Sequence, residues 1–185
     1  MALIESNYFK IVEKAPYFNL FDTISGENRS LHDLTAGKKG TVIFFICNHC
    51  PFVSHINREL VRMANEYQTK GVQFIAISSN NVDAYPQDGP EKMKDVAEKL
   101  NYSFPYLYDH SQEVAKLYDA VCTPDIYLFD EELKAVYHGQ LCDSRPGNGI
   151  PVTGKDLRNA LDKLLNGNAP LSIQKPSIGC SIKWK

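Results

Sequence analysis

The chain has 185 residues, with 20 Lys and Arg against 22 Asp and Glu, for a formal net charge of −2. Hydrophobic residues make up 43% and charged residues 23%, enough apolar surface to offset ordering entropy, which excludes a disordered chain. The near-neutral charge argues against nucleic acid as a partner, because phosphate binding draws on an excess of Lys and Arg, and no apolar run reaches the roughly 20 residues that span a bilayer.

Met1 to Asn7 has no basic start and no long apolar stretch, so no signal peptide is expected and a cytoplasmic protein is. From Tyr17 the predicted elements alternate. Tyr17 to Asp22 reads as a short strand closed by Ser25-Gly26, and Ser30 to Leu34 as a helical turn. Thr41 to Ile46 is a continuous β-branched and aromatic block, the pattern of a strand buried on both faces. Phe52, Ile56, Leu60, Met63, Ala64 and Tyr67 then recur at helical spacing until Gly71 stops the pattern. Val72 to Ser78 is a second buried strand, and Asn80 to Pro90, rich in Asn, Asp, Pro and Gly, is a loop. Glu91 to Leu100 reads as a helix, Phe104 to Tyr108 as a short strand and Gln112 to Tyr118 as another helix. Asp125 to Asp130 and Ala135 to Gly139 form a predicted antiparallel pair. Thr153, with Asp156 as a partial capping box, is expected to cap a last helix striped by Leu157, Ala160, Leu161, Leu164 and Leu165. The order β-α-β-α-β-β-α predicts an α/β fold: a mixed central sheet with helices on both faces.

Five cysteines are an odd number, too few for a disulfide scaffold of this length. Two of them form Cys47-Asn48-His49-Cys50 between the first buried strand and the long helix. A helix N-terminus presents unpaired N–H groups and partial positive charge. A thiolate there is stabilised, and its pKa falls from about 8.5 toward roughly 3.5–7.5. Cys47 is expected to be the more exposed thiolate and the attacking sulfur, and Cys50, one turn into the helix, the resolving one. His49 between them is read as tuning the thiolate, or else as an exposed residue without a role. The second constellation is Cys122-Thr123-Pro124-Asp125, directly before a strand. It suggests a cis Thr123–Pro124 bond, against the commoner trans reading.

Together these two constellations resemble the thioredoxin superfamily, in the thioredoxin-like and peroxiredoxin-like branch of redoxin, alkyl hydroperoxide reductase and thiol-specific antioxidant proteins. The resemblance runs from about Ala15 to Gly167 and includes Ala15-Pro16-Tyr17-Phe18-Asn19-Leu20 and Leu31-His32-Asp33-Leu34. It implies one thioredoxin-like domain over residues 1–185: a core at 15–167 with an N-terminal extension and an insert at Asn80 to Pro90, and a docked tail at 168–185. It also implies that a cis Pro124 faces Cys47 and Cys50, where the loop binds a substrate chain as an added strand. The activity implied is thiol–disulfide exchange with protein disulfides or a thioredoxin-type reducing partner, without cofactor or metal. The alternative is a thiol peroxidase with Cys50 as the peroxide-attacking residue, followed by Pro51 as in many peroxiredoxins.

The sequence departs from both patterns. Ile46 stands where thioredoxin has Trp, and Thr41 where it has a buried acid. Ile43 and Cys47 stand where peroxiredoxins carry Pro and Thr, and their later Arg has no counterpart near Cys122 to Asp125. Cys122 is read as buried structure or as a further redox thiol beside the site. Cys142 is expected to be a bystander in a polar loop. Cys180, on a tail, is either a third redox thiol or part of a segment that covers apolar surface. A soft-metal site of Cys47, His49, Cys50 and His55 is the remaining alternative, at a spacing unlike that of structural zinc.

Overall fold

The computed structural model describes residues 3–7 and 13–185. Met1 and Ala2, part of the N-terminal stretch read above, lie outside them. The elements run β1 (Leu3–Glu5), β2 (Asn19–Asp22), β3 (Asn28–Ser30), α1 (Leu31–Thr35), β4 (Gly40–Phe45), α2 (Pro51–Gln68) and β5 (Val72–Ser78). After a single 3-10 turn at Pro86–Asp88 come α3 (Pro90–Leu100), β6 (Tyr106–Tyr108), α4 (Glu113–Leu117), β7 (Cys122–Thr123), β8 (Asp125–Asp130), β9 (Ala135–His138), α5 (Lys155–Leu165) and β10 (Ile178–Ser181).

Seven strands form the central sheet in the order β3-β2-β6-β5-β4-β8-β9. β5 pairs parallel with β4 and with β6, while β8 pairs antiparallel with β4 and with β9. This is the mixed sheet the element order predicts. Every residue of β4 is buried, because side chains alternate between two covered faces. Val42 and Phe44 point into the layer of α2, α3 and α5, against Leu60, Met93 and Leu161. Ile43 and Phe45 point into the layer of α1 and α4, against Leu31, Leu34 and Val114. Burying side chains of this size stabilises the fold by about 1.5–3 kcal/mol each.

Two local readings change. α5 begins at Lys155 with Gly154 as its N-cap at φ 67, and Thr153 only contributes its hydroxyl to the Lys155 N–H at 3.3 Å. Asp156 turns away to accept from Gln140 Nε2 at 2.6 Å, so no capping box forms. The tail does more than dock. β10 pairs antiparallel with β1 on one side and β7 on the other, making a second, three-stranded sheet that local pattern alone does not predict.

Candidate active site

β4 delivers the first cysteine. Its hydrogen-bonded path extends one residue further through the Ile46 N–H to Ile77 O at 2.9 Å, and the chain then leaves the sheet at Cys47. Cys50 is the N-cap of α2, with extended backbone at φ −76 and ψ 119. Pro51 fills the first helical position, where its missing N–H costs no hydrogen bond. The first turn of α2 carries no acidic side chain, so its positive end is left for the sulfur.

The second constellation meets it from β7 and β8. The Thr123–Pro124 bond is cis, as the sequence suggests. Thr123 touches both cysteines: Oγ1 is 3.5 Å from Cys47 Sγ, and its carbonyl oxygen is 3.1 Å from Cys50 Sγ. Cys180 Sγ on β10 lies 2.7 Å from Cys50 Sγ. All five cysteines are buried and none is in a disulfide.

The surroundings of the pair favour the charge on Cys50 over Cys47. Cys47 is 1% exposed and Cys50 0%, so exposure does not distinguish them. Hydrogen bonding from the Cys47 thiol lowers the Cys50 pKa to about 5, against the cost of burial and with help from Cys180, Thr123 and the Val53 N–H. The Cys47 thiol is pushed up because it donates to Cys50, is buried and faces the Asp88 charge. Burial corrects the expectation that Cys47 is the more exposed sulfur. Cys50 is also the N-cap residue of α2, where the positive end of the helix favours a charged sulfur.

His49 does not act alone beside the thiols. Its Nδ1 lies 2.6 Å from Asp88 Oδ2, and its ring stacks on Tyr85 at 5.2 Å between centroids. Asp88 is fully buried and also accepts from the Asn48 N–H at 2.8 Å, the His49 N–H at 3.2 Å and Asn80 Nδ2 at 2.8 Å. It thereby ties the Cys47–Cys50 loop to the Asn80 to Pro90 loop. Sequence reasoning missed it, because its partners in the cysteine loop lie 39 and 40 residues away. An acid in a long loop between a strand and a helix was the available signal. Asp125, next to Pro124, is also buried; it accepts from His138 Nε2 at 2.7 Å and the Tyr127 hydroxyl at 3.2 Å, which anchors the start of β8. Burial pushes its carboxyl up, against those hydrogen bonds.

The remaining predicted residues divide. Cys122 is buried with Sγ 3.6 Å from Pro124 O, and burial and the Asp125 charge push its thiol up, so it stays protonated. Cys142 is buried, not displayed on a polar loop, and helps line a shallow cleft with Phe52, His55, Pro124, Leu141 and Arg145. The four-residue metal set is split, because His55 Nε2 bonds Ser144 Oγ at 2.7 Å. Cys47, His49 and Asp88 do present ligand atoms within 4.8 Å of one another, but the Asp88 oxygens are already occupied by the four donors above.

Comparison with known proteins gives this geometry its family. An uncharacterized conserved protein from Geobacillus kaustophilus is 60% identical and superposes with a TM-score of 0.97, covering 100% of this chain and 97% of that one. A hypothetical protein from Sinorhizobium meliloti 1021 is 42% identical, with a TM-score of 0.95 and 98% of both chains covered. The thioredoxin domain of a thiol-disulfide oxidoreductase from Bacteroides vulgatus, 23% identical, shares the fold at a TM-score of 0.66 over 86% of this chain and 100% of that one. No curated protein matches. The model of the AhpC/TSA family matches residues 11–138, which hold the cysteine pair, Asp88 and the cis-proline, and the chain with its thioredoxin-like α/β fold belongs to that family.

Proposed function

We propose that the protein is a thiol–disulfide oxidoreductase in which Cys47 and Cys50 alternate between dithiol and disulfide. One observation carries the reading: the Cys50 sulfur sits at the N-cap of α2, accepts from the Cys47 thiol and faces the cis Thr123–Pro124 turn. In the reducing direction the Cys50 thiolate attacks a substrate disulfide and releases one substrate thiolate. Cys47 then gives up its proton and attacks Cys50, which releases the second. Two cysteines are oxidised and one substrate disulfide is reduced. Pro124 shapes the turn beside the sulfurs, and His49, fixed by Asp88 and Tyr85, holds the intervening loop. The test is insulin reduction by dithiothreitol. Cys47→Ser and Cys50→Ser should each fall to the rate of the reductant alone, and full activity in either would overturn the assignment.

A second reading draws on the low pKa of Cys50 and on Pro51 behind it. A hydroperoxide would oxidise the Cys50 thiolate to sulfenic acid and leave as the alcohol, after which the Cys47 thiol would condense with Cys50 and release water. Dimedone trapping selective for Cys50, with peroxide turnover lost in Cys50→Ser, is its expected signature. Unchanged peroxide turnover in Cys50→Ser would exclude it.

A further inference from the structure

β7 is two residues long, and across the cis bond at Pro124 the chain passes from one sheet to the other. The partner of β7 is β10, antiparallel, with Cys180 opposite Thr123 and Ser181 opposite Cys122. A peptide that binds by adding a strand to this edge would lie where β10 lies. The chain's own C-terminus is already there, and it carries a thiol 2.7 Å from Cys50 Sγ.

The approach is close in the backbone as well. A methyl group at Gly179 would meet the Thr123 carbonyl carbon at 2.6 Å, its oxygen closer still, and Pro124 Cδ at 3.1 Å. Beyond β10 the strand is held in place. The Ile182 N–H donates to Val121 O at 2.9 Å, and the Asn81 N–H and Gln112 Nε2 donate to Lys183 O at 2.7 and 2.8 Å. The Lys183 N–H donates to Asn80 Oδ1 at 2.8 Å. The tail thus bridges the Asn80 to Pro90 loop, the start of α4 and the cis-proline turn.

We propose that Cys180 is a third redox-active cysteine, delivered by a C-terminal strand that occupies the chain's own peptide-binding edge, and that it closes an intramolecular disulfide with Cys50. The proposal rests on Cys50 being a reactive thiol. The oxidant is a low-molecular-weight disulfide, which must open the covered site to reach sulfurs that are 0% (Cys50) and 1% (Cys180) exposed. The Cys50 thiolate attacks one of its sulfurs and the S–S bond breaks; one thiolate leaves and takes a proton from solvent. The Cys180 sulfur then attacks Cys50 Sγ, expelling the second thiolate, which takes the Cys180 proton. Two cysteines are oxidised and one small disulfide becomes two thiols. Cys47 and Cys180 compete for the same Cys50 sulfur, so the disulfide exists in two positions.

The experiment oxidises the full chain with limiting oxidised glutathione, alkylates the remaining thiols and maps the joined peptides by mass spectrometry. Cys47→Ser should lose two alkylatable thiols and yield the Cys50–Cys180 peptide. Wild type should yield both the Cys47–Cys50 and the Cys50–Cys180 peptides. Gly179→Ala, which pushes β10 off Thr123, should yield only the Cys47–Cys50 peptide. A Cys47→Ser protein that keeps Cys50 glutathionylated and Cys180 alkylated overturns the proposal and leaves the Cys50 reading intact. So does wild type with Cys47–Cys50 as its sole product, which decides the matter without any variant. Wild type whose Cys50 is not oxidised at all overturns the reading beneath it.

Discussion

Asp88 shows what a single buried residue does for this site. Its carboxylate collects two backbone N–H groups, the His49 ring and the Asn80 amide, and its charge helps keep the proton on Cys47. Asp88→Ala removes the acceptor and leaves the donors partly or wholly buried, a cost of about 1–3 kcal/mol. Urea unfolding should show that loss, and Asp88→Asn, which keeps one side-chain oxygen, should recover part of it. Equal stability in Asp88→Ala and wild type would mean the cluster does not hold the loop. Of the site, Cys47, Cys50 and Pro124 were legible because a C-x-x-C at a strand-to-helix junction and a Thr-Pro before a strand are local signals. Asp88 was not, because it meets His49 across 39 residues; Cys180 was legible as a candidate thiol, but its contact with Cys50 across 130 residues was not, since no local pattern encodes such a pairing.

At the scale of elements the same division holds. α5 was legible as a helix from its apolar spacing, but its stripe is graded: Leu157 and Leu161 are fully buried, while Leu164 and Leu165 are half-buried. Leu161→Ala should therefore cost about 2–5 kcal/mol, the range for a buried leucine whose cavity closes only in part. Leu165→Ala should cost less than half as much in the same unfolding experiment; equal costs would contradict the packing of α5 on β8 and β9. β4 and β5 were legible because strands buried on both faces write unbroken apolar runs. β1, β7 and β10 are two to four residues long, and each is stable only through pairing across the molecule. β10 reads in sequence as Ile178-Gly179-Cys180-Ser181, a tail with a glycine in it, and the glycine is what lets the strand reach Thr123.

For the molecule as a whole, the thiols couple stability to pH and to redox state. An unfolded cysteine titrates near 9, whereas the hydrogen bond from Cys47 lowers Cys50 in the fold to about 5. Between those values the unfolded chain binds the extra proton, so the Cys50 contribution to stability grows as pH rises from 5 to 9 and is lost as pH falls through 5. Cys47 and Cys180 act in the opposite sense, since their folded pKa values lie above 9. Their contribution is complete below pH 9 and is lost as pH rises beyond it. A Cys47–Cys50 disulfide removes the first two of these titrations and leaves the rest of the protein's charges in place. The melting temperature of the reduced protein minus that of the oxidised protein should therefore climb between pH 5 and pH 8. A thiolate stabilised at Cys50 favours the dithiol over the disulfide, so the expected reduction potential at pH 7 lies above thioredoxin's value of about −270 mV. Paired thermal melts across pH, with a glutathione titration at pH 7, measure both. A redox difference in melting temperature that stays flat from pH 5 to 8 would mean that Cys50 does not hold the charge, and the attacking role would return to Cys47.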